Sequence, residues 1–353
     1  MTERKNPEKK PPKEPIKSVQ FDLFSQFVAN DKSEVSNTVE YWESIPKYFL
    51  TPKQITKLRT IDGLAKPYEW DYTVKNMEGR VLPCKSEIQP ALIKQEDGNY
   101  KAFFPTKAEE TIEEVLKKIF TDQQYGIHDP QNLESWVKFS YSMIRRELYR
   151  MNCGRTYEEI KLSLEIMSKC ILTVWEGKKE VYTGAILQNY CRVDREKYLE
   201  DTDALHVAQL PVFLSHALNT LQYRQYNYLR FMDFKEQLTR YLYKKLINRF
   251  IQASYMTEYS FMYSDIKQAS GLLQQERERD NRIKVTSAFE ELQEKGVILS
   301  CEVDERKEGR TIVEVKYTVK AAPDFIKEQK AANKRATDAE RQALNSGMLL
   351  VDK

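Results

Sequence analysis

From about residue 106 to residue 322 one order of secondary-structure signals occurs twice, and this repetition limits the fold more than any single motif. In the first copy Ile112, Val115, Leu116 and Ile119 fall at i, i+3, i+4 and i+7, predicting a helix over 106–120. Val137–Phe139 reads as a short strand, and Ser140 as the N-cap of a helix to about Arg150. Asn152-Cys153-Gly154 breaks that helix. A second follows over about 155–170, burying Ile160, Leu164 and Met167, and two strands near 171–175 and 181–192 are joined across Glu176-Gly177-Lys178-Lys179. In the second copy a helix spans about 234–254, a short strand 261–263, and Ser264 caps a helix to Ser270, with Gly271 where it must end. A helix over 281–295 places Val285, Ala288, Phe289 and Leu292 on one face, Gly296 stops it, and strands 297–303 and 311–319 flank a charged turn containing Gly309. Helix, short strand, helix, tight turn, helix and β-hairpin is the order of a winged helix-turn-helix. The expected fold class is α+β, mostly helical, with two tandem winged helix-turn-helix domains and disordered tails.

The rest of the chain divides around these units. Residues 1–18 carry four prolines, six basic and three acidic residues and almost nothing apolar, so they cannot bury enough surface to offset their ordering entropy. The expected domains are 1–30, a disordered segment with a short docking peptide; 31–80, a lead-in; 81–197 and 198–322, the two winged-helix domains; and 323–353, a tail. In the lead-in Trp42, Tyr48, Phe49 and Trp70 suggest order. Val81–Ile93 and Tyr100–Phe104 read as strands joined across the turn dipeptide Asp97-Gly98.

Composition narrows the chemistry. A net charge of +3 requires any nucleic-acid footprint to be local. The five cysteines are widely separated and suggest reduced thiols of a cytoplasmic protein. No stretch has the roughly 18 consecutive apolar residues of a membrane span. GxxxxGK[ST], GxSxG and HExxH are absent, and His128, His206 and His216 are solitary. The expectation is recognition without an enzyme, a catalytic residue, a cofactor or a metal.

The stretch 81–322 resembles the iteron-plasmid replication initiators, most closely the TrfA-like group. WVKFSYSMIRRELYRMNCGRTYEEIKLSLEIMSKCILTVW (Trp136 to Trp175) and AILQNYCRV (Ala185 to Val193) carry the resemblance in the first unit. YNYLRFMDFKEQLTRYLYKKL (Tyr226 to Leu246), SDIKQASGL from Ser264 and RIKVTSAFEELQEKGVI (to Ile298) carry it in the second. The resemblance implies a protein that binds repeated double-stranded sites (iterons) at an origin, helps open adjacent A+T-rich DNA, and brings in the host helicase and its loader. Initiators of this kind often form homodimers. The alternative is a winged-helix transcriptional repressor, autoregulatory in one version, without origin melting; a third reading is a structural protein that only bridges DNA.

The second helix of each helix-turn-helix is expected to enter the major groove with its N-terminal half. That nominates Arg155, Thr156, Tyr157, Lys161 and Ser163 in the first unit, and Asn281, Arg282, Lys284, Thr286 and Ser287 in the second. Lys178 and Lys179 suit one wing tip, and Arg306, Lys307 and Arg310 the other; a plain charged turn is the alternative. Arg240, Lys244, Lys245 and Arg249 have no acid nearby in sequence and suit phosphate contact or a solvated face equally. Gln20-Phe21-Asp22-Leu23-Phe24 is similar to the bacterial sliding-clamp binding motif, which TrfA-like proteins carry upstream of their winged helices. Packing of this peptide on the protein's own body is the other reading.

Overall fold

The computed structural model describes residues 34–75, 80–121, 125–192 and 205–345. The expected disordered segment 1–30, with the peptide Gln20–Phe24, lies outside them. The described chain is a mixed α/β protein of eleven helices and fifteen strands, every strand pairing being antiparallel. Strands are therefore more numerous than the expectation of a mostly helical chain allowed.

The lead-in forms β1 (Val35–Thr38), α1 (Glu40–Ser44), α2 (Pro52–Leu58) and β2 (Tyr68–Lys75). It is part of the body, not an appendage. β1 pairs with a strand some 190 positions away, Val35 opposite Asn227, and Trp42 is fully buried. Next come β3 (Val81–Gln89), β4 (Ala91–Lys94) and β5 (Tyr100–Phe103). The single strand expected over 81–93 is two, divided at Pro90, which has no N–H for a ladder. The β4–β5 hairpin turns at Asp97-Gly98 as expected, with Gly98 at φ 87°.

The first unit follows: α3 (Lys107–Phe120), β6 (Gly126–Asp129), β7 (Glu134–Phe139), α4 (Tyr141–Arg150), α5 (Tyr157–Lys169), β8 (Ile171–Glu176), β9 (Lys179–Ala185), β10 (Gln188–Cys191), β11 (His206–Gln209) and α6 (Val212–Asn219). Its helix starts are written in the sequence. Thr106 and Thr156 each close a capping box with the glutamate three residues on, Glu109 and Glu159, and the Ser140 hydroxyl accepts from Met143 N. The sheet pairing departs from expectation. The hairpin β8–β9 extends the lead-in strands into the order β2-β3-β8-β9, whereas β7 lies in a separate sheet, β10-β11-β7-β6. Residues 206–209 thus pair with the first unit, beyond the boundary expected at 197/198.

The second unit comprises β12 (Arg224–Asn227), α7 (Tyr228–Asp233), α8 (Gln237–Arg249), β13 (Glu258–Met262), α9 (Tyr263–Ser270), α10 (Glu278–Glu294), β14 (Ile298–Glu308) and β15 (Thr311–Ala321). Here the short strand does join the hairpin, in the order β13-β15-β14. In its core Phe289 stacks on Tyr317, with centroids 4.9 Å apart, and meets Phe261 at a tilt, 5.5 Å away. Gly271 ends α9 in the left-handed conformation at φ 67°. Ser264 does not cap that helix: its hydroxyl donates to Glu314 at 2.5 Å, and Met262 holds the N-cap position.

The tail, expected as a loose helix or a disordered segment, is α11 (Pro323–Asn345), a helix of 23 residues. It is amphipathic, burying Phe325, Ile326, Gln329, Ala332, Ala339 and Ala343, and Arg224 of β12 donates to Gln329 and Asn333 at 2.7 Å. Small residues along one face let it lie close against the body although few are large and apolar.

The two units are joined by a buried charged cluster. Lys244 of α8 lies 2.6 Å from Glu114 of α3 and 2.9 Å from Glu43, and Lys117 lies 2.7 Å from Glu43 and 3.0 Å from Glu114. Arg240, 2% exposed, lies 3.5 Å from Glu110 and donates to Thr111. Arg249 pairs with Glu40. Arg240 and Lys244 are therefore neither phosphate contacts nor a solvated face, as both sequence alternatives had them. Their acids come from segments about 130 and about 200 positions upstream.

Candidate nucleic-acid interface

The N-terminal half of α10 has a buried side and an exposed side, and the nominated residues divide between them. Asn281 is fully buried; its Oδ1 accepts from Gln275 N at 3.0 Å and its Nδ2 donates to Gln275 O at 3.1 Å. Lys284 turns back, and its Nζ donates to Leu272 O at 3.0 Å; burial lowers its pKa. Both brace the turn between α9 and α10 and neither faces outward, correcting their nomination as base readers. Thr286 is half-buried and hydrogen-bonds Tyr317. Arg282 is half-buried, its charge acting on Tyr263 and Tyr317.

The outward side carries Arg277, Arg279, Asp280, Ile283 and Ser287, all exposed. Arg277, Arg279 and Ile283 were not nominated from sequence. The alternation of acids and bases over 276–284 concealed the two arginines. Folding resolves it in part, because Glu278 is turned onto Tyr263 and Lys267 and is held below its ordinary pKa against the burial that raises it. The expected boundary at Asn281 hid them as well, since the helix begins three residues earlier.

Beside α10 stands the hairpin β14–β15, the expected second wing. β14 and β15 run eleven residues each, longer than expected, and every residue from Glu302 to Glu308 is exposed. Across the ladder Tyr317 and Val315 are buried and Glu314 accepts from Ser264, so only the end beyond Arg306 is free of the body, and at about 3.4 Å per residue it extends roughly 10 Å. Its tip is the two-residue turn Gly309-Arg310, Gly309 taking φ 62°. Lys307 lies 2.9 Å from Glu305 and Arg306 is opposite Glu314 in the ladder, so both have acids beside them. Arg310 is exposed at the turn itself.

The first unit offers a different surface. Tyr157, Glu158 and Lys161 are exposed on α5, and Arg155 is half-buried before it. Ser163 is buried and donates to Glu109 Oε1 at 2.7 Å, which removes it from the expected face. The Arg145 guanidinium of α4 lies 4.6 Å from the Tyr157 ring centre and 5.2 Å from that of Tyr149, and donates to the Tyr149 hydroxyl at 3.3 Å. Arg145 and Tyr149 were not nominated; an i, i+4 Arg–Tyr pair on α4 was the signal for them. Lys178 and Lys179 are exposed at the tip of the β8–β9 hairpin, where Gly177 takes φ 58°. Thr156, nominated as a reader, is the helix cap.

Compared with solved structures, the chain is similar to domains 2 and 3 of RctB, at 15% identity and a TM-score of 0.43, over 76% of this chain and 98% of that one. It is also similar to the Pi initiator protein in complex with iteron DNA, at 10% identity and a TM-score of 0.36, over 84% of this chain and 100% of that one. No family model matches the sequence, and no curated protein matches it.

The lead-in also packs against the second unit. Trp70 of β2 donates its Nε1–H to Gln268 O at 3.0 Å, Gln54 of α2 donates to Gln274 at 2.5 Å, and Phe49 packs directly on Gly271. These contacts fall on α9 and the turn before α10. Among the described residues no group of three or more His, Cys, Asp or Glu side chains is placed to hold a metal, and no helix is long and apolar enough to cross a membrane.

Proposed function

We propose that the chain is a sequence-specific, double-stranded DNA-binding replication initiator whose chemistry is recognition. It binds origin repeats, promotes opening of adjacent A+T-rich DNA and recruits the host helicase, its loader and the sliding clamp. The observation that carries the DNA-binding part is the outward side of the first half of α10, with exposed Arg279, exposed Arg277 at its N-cap and half-buried Arg282, beside a ribbon ending at exposed Arg310. A helix of this kind fits the major groove of about 12 Å, and the ribbon reaches the neighbouring phosphates. The sequence resemblance supports the initiator reading over other uses of the same two units.

The test is footprinting on the DNA around the gene, with permanganate to detect unpaired thymines. An initiator protects direct repeats and makes thymines in the adjacent A+T-rich DNA reactive. Protection of a promoter without reactive thymines replaces the initiator with a repressor.

A further inference from the structure

Resting on the DNA-binding reading above, we propose that Ile283 is a specificity-determining residue that reads the 5-methyl group of a thymine in the major groove. The buried line of α10 runs through Asn281, Val285, Ala288, Phe289 and Leu292. At about 100° per residue, Ile283 lies roughly 160° from both Asn281 and Val285, so its side chain is as far from the core as a residue of this helix can be. It is 53% exposed and sits in the second turn, within the half of the helix that reaches base edges. Arg279 stands one turn before it and Ser287 one turn after, both exposed.

The surroundings leave the apolar side chain little structural purpose. It faces away from α8 and the hairpin, and its neighbours on the exposed side are charged or hydroxylic. The polar candidates on either side of it, Asn281 and Lys284, are committed to Gln275 and Leu272. The centre of the face that would meet base edges is therefore a branched aliphatic group, flanked by an arginine. In the major groove the one apolar feature presented by a base pair is the thymine methyl. An exposed β-branched side chain, stiff at χ1, meets such a methyl with little loss of freedom.

The test uses the full chain and the shortest duplex it protects. Each thymine is replaced in turn by deoxyuridine, which removes only the methyl, and binding is measured for the wild type and for Ile283→Ala. The expected result is one or two thymines, within one stretch of major groove, whose methyl removal weakens wild-type binding by about three- to tenfold, as loss of one buried methyl requires. Ile283→Ala should bind the thymine duplex more weakly by a similar factor and be indifferent to deoxyuridine at those positions. Melting temperatures should agree, since the side chain points away from the core. Wild-type binding insensitive to every replacement, or an alanine variant as sensitive as the wild type, overturns the assignment while leaving DNA binding intact. A folded protein that protects no duplex overturns both.

Discussion

Asn281 and Gln275 hold each other through two hydrogen bonds, side-chain amide to backbone N–H at 3.0 Å and to backbone carbonyl at 3.1 Å. This pair closes the turn that leads into α10. Asn281→Ala leaves both backbone groups of Gln275 without this partner and should cost about 1–3 kcal/mol of stability. Arg279→Ala, at an exposed position, should leave stability within about 0.5 kcal/mol and weaken DNA binding. Thermal unfolding beside a binding titration separates the two. An Asn281→Ala protein of wild-type stability with altered base preference would restore the reader role that its burial contradicts.

Gly271→Ala tests the coupling between the lead-in and the second unit. A Cβ there would meet Phe49 Cγ at 2.9 Å, and the backbone is left-handed at φ 67°. The left-handed conformation alone costs a non-glycine residue about 1–2 kcal/mol. Denaturant unfolding should show at least that loss, and a smaller one when Phe49→Ala has already removed the ring. Equal losses in the two backgrounds would mean that the ring and the new methyl do not collide.

Stability should fall as pH falls below neutrality. Burial opposes ionisation of Glu43, but Lys117 and Lys244 outweigh it and hold the carboxyl well below its ordinary value; Glu114 is lowered in the same way. Groups lowered in the folded state contribute fully above their unfolded value, and the contribution is lost from about pH 5 downward. His206 is pushed down to about 4 by burial, aided by Arg192 and Lys161. Its unfolded form takes a proton nearer 6.5, so between those values acid favours unfolding here as well. The melting temperature should therefore drop from pH 7 to pH 4, and His206→Phe should flatten the upper part of that fall. Lys244→Met, which leaves Glu114 without its closest cation, should cost about 3–5 kcal/mol near pH 7. A melting temperature that rises on acidification contradicts this account.

Local features were legible in the sequence, and long-range ones were not. Ser140, Asp97-Gly98 and Gly271 each act within a few residues, and each does in the structure what its type implies; the equally local pair Thr156 and Glu159 was there to be read as a helix cap, but Thr156 was assigned to the groove face. The partners of Arg240 and Lys244 lie about 130 and about 200 positions away, so a run without nearby acids reads as exposed although these two residues are buried. Sheet membership failed for the same reason: nothing near Val137 indicates that β7 pairs with β11 rather than with its own hairpin. Asn281 was legible but misread: it lies four residues before Val285 and seven before Ala288, on the face already assigned to the core.

Replacing Arg306, Lys307 and Arg310 together by alanine should leave the melting temperature nearly unchanged, because all three are exposed on the free ribbon. Binding should weaken at every sequence alike, and the slope of log K against log salt should fall by roughly one for each phosphate that is no longer neutralised. Of the single substitutions Arg310→Ala should account for most of the effect, since Lys307 has Glu305 beside it. Titrations at several salt concentrations give the slope; an unchanged slope means the wing does not touch DNA.

The central claim, that two helix-turn-helix units read one DNA site, is tested most directly by hydroxyl-radical footprinting of the wild type beside two variants. One carries Arg279→Ala and Arg282→Ala; the other carries Arg145→Ala and Lys161→Ala. The account predicts wild-type protection in two patches about one helical turn, roughly 34–36 Å, apart. Each variant should lose protection mainly in one patch, and the two should lose different patches. Uniform or absent protection by folded wild-type protein at low salt, or variants that protect as the wild type does, would contradict it.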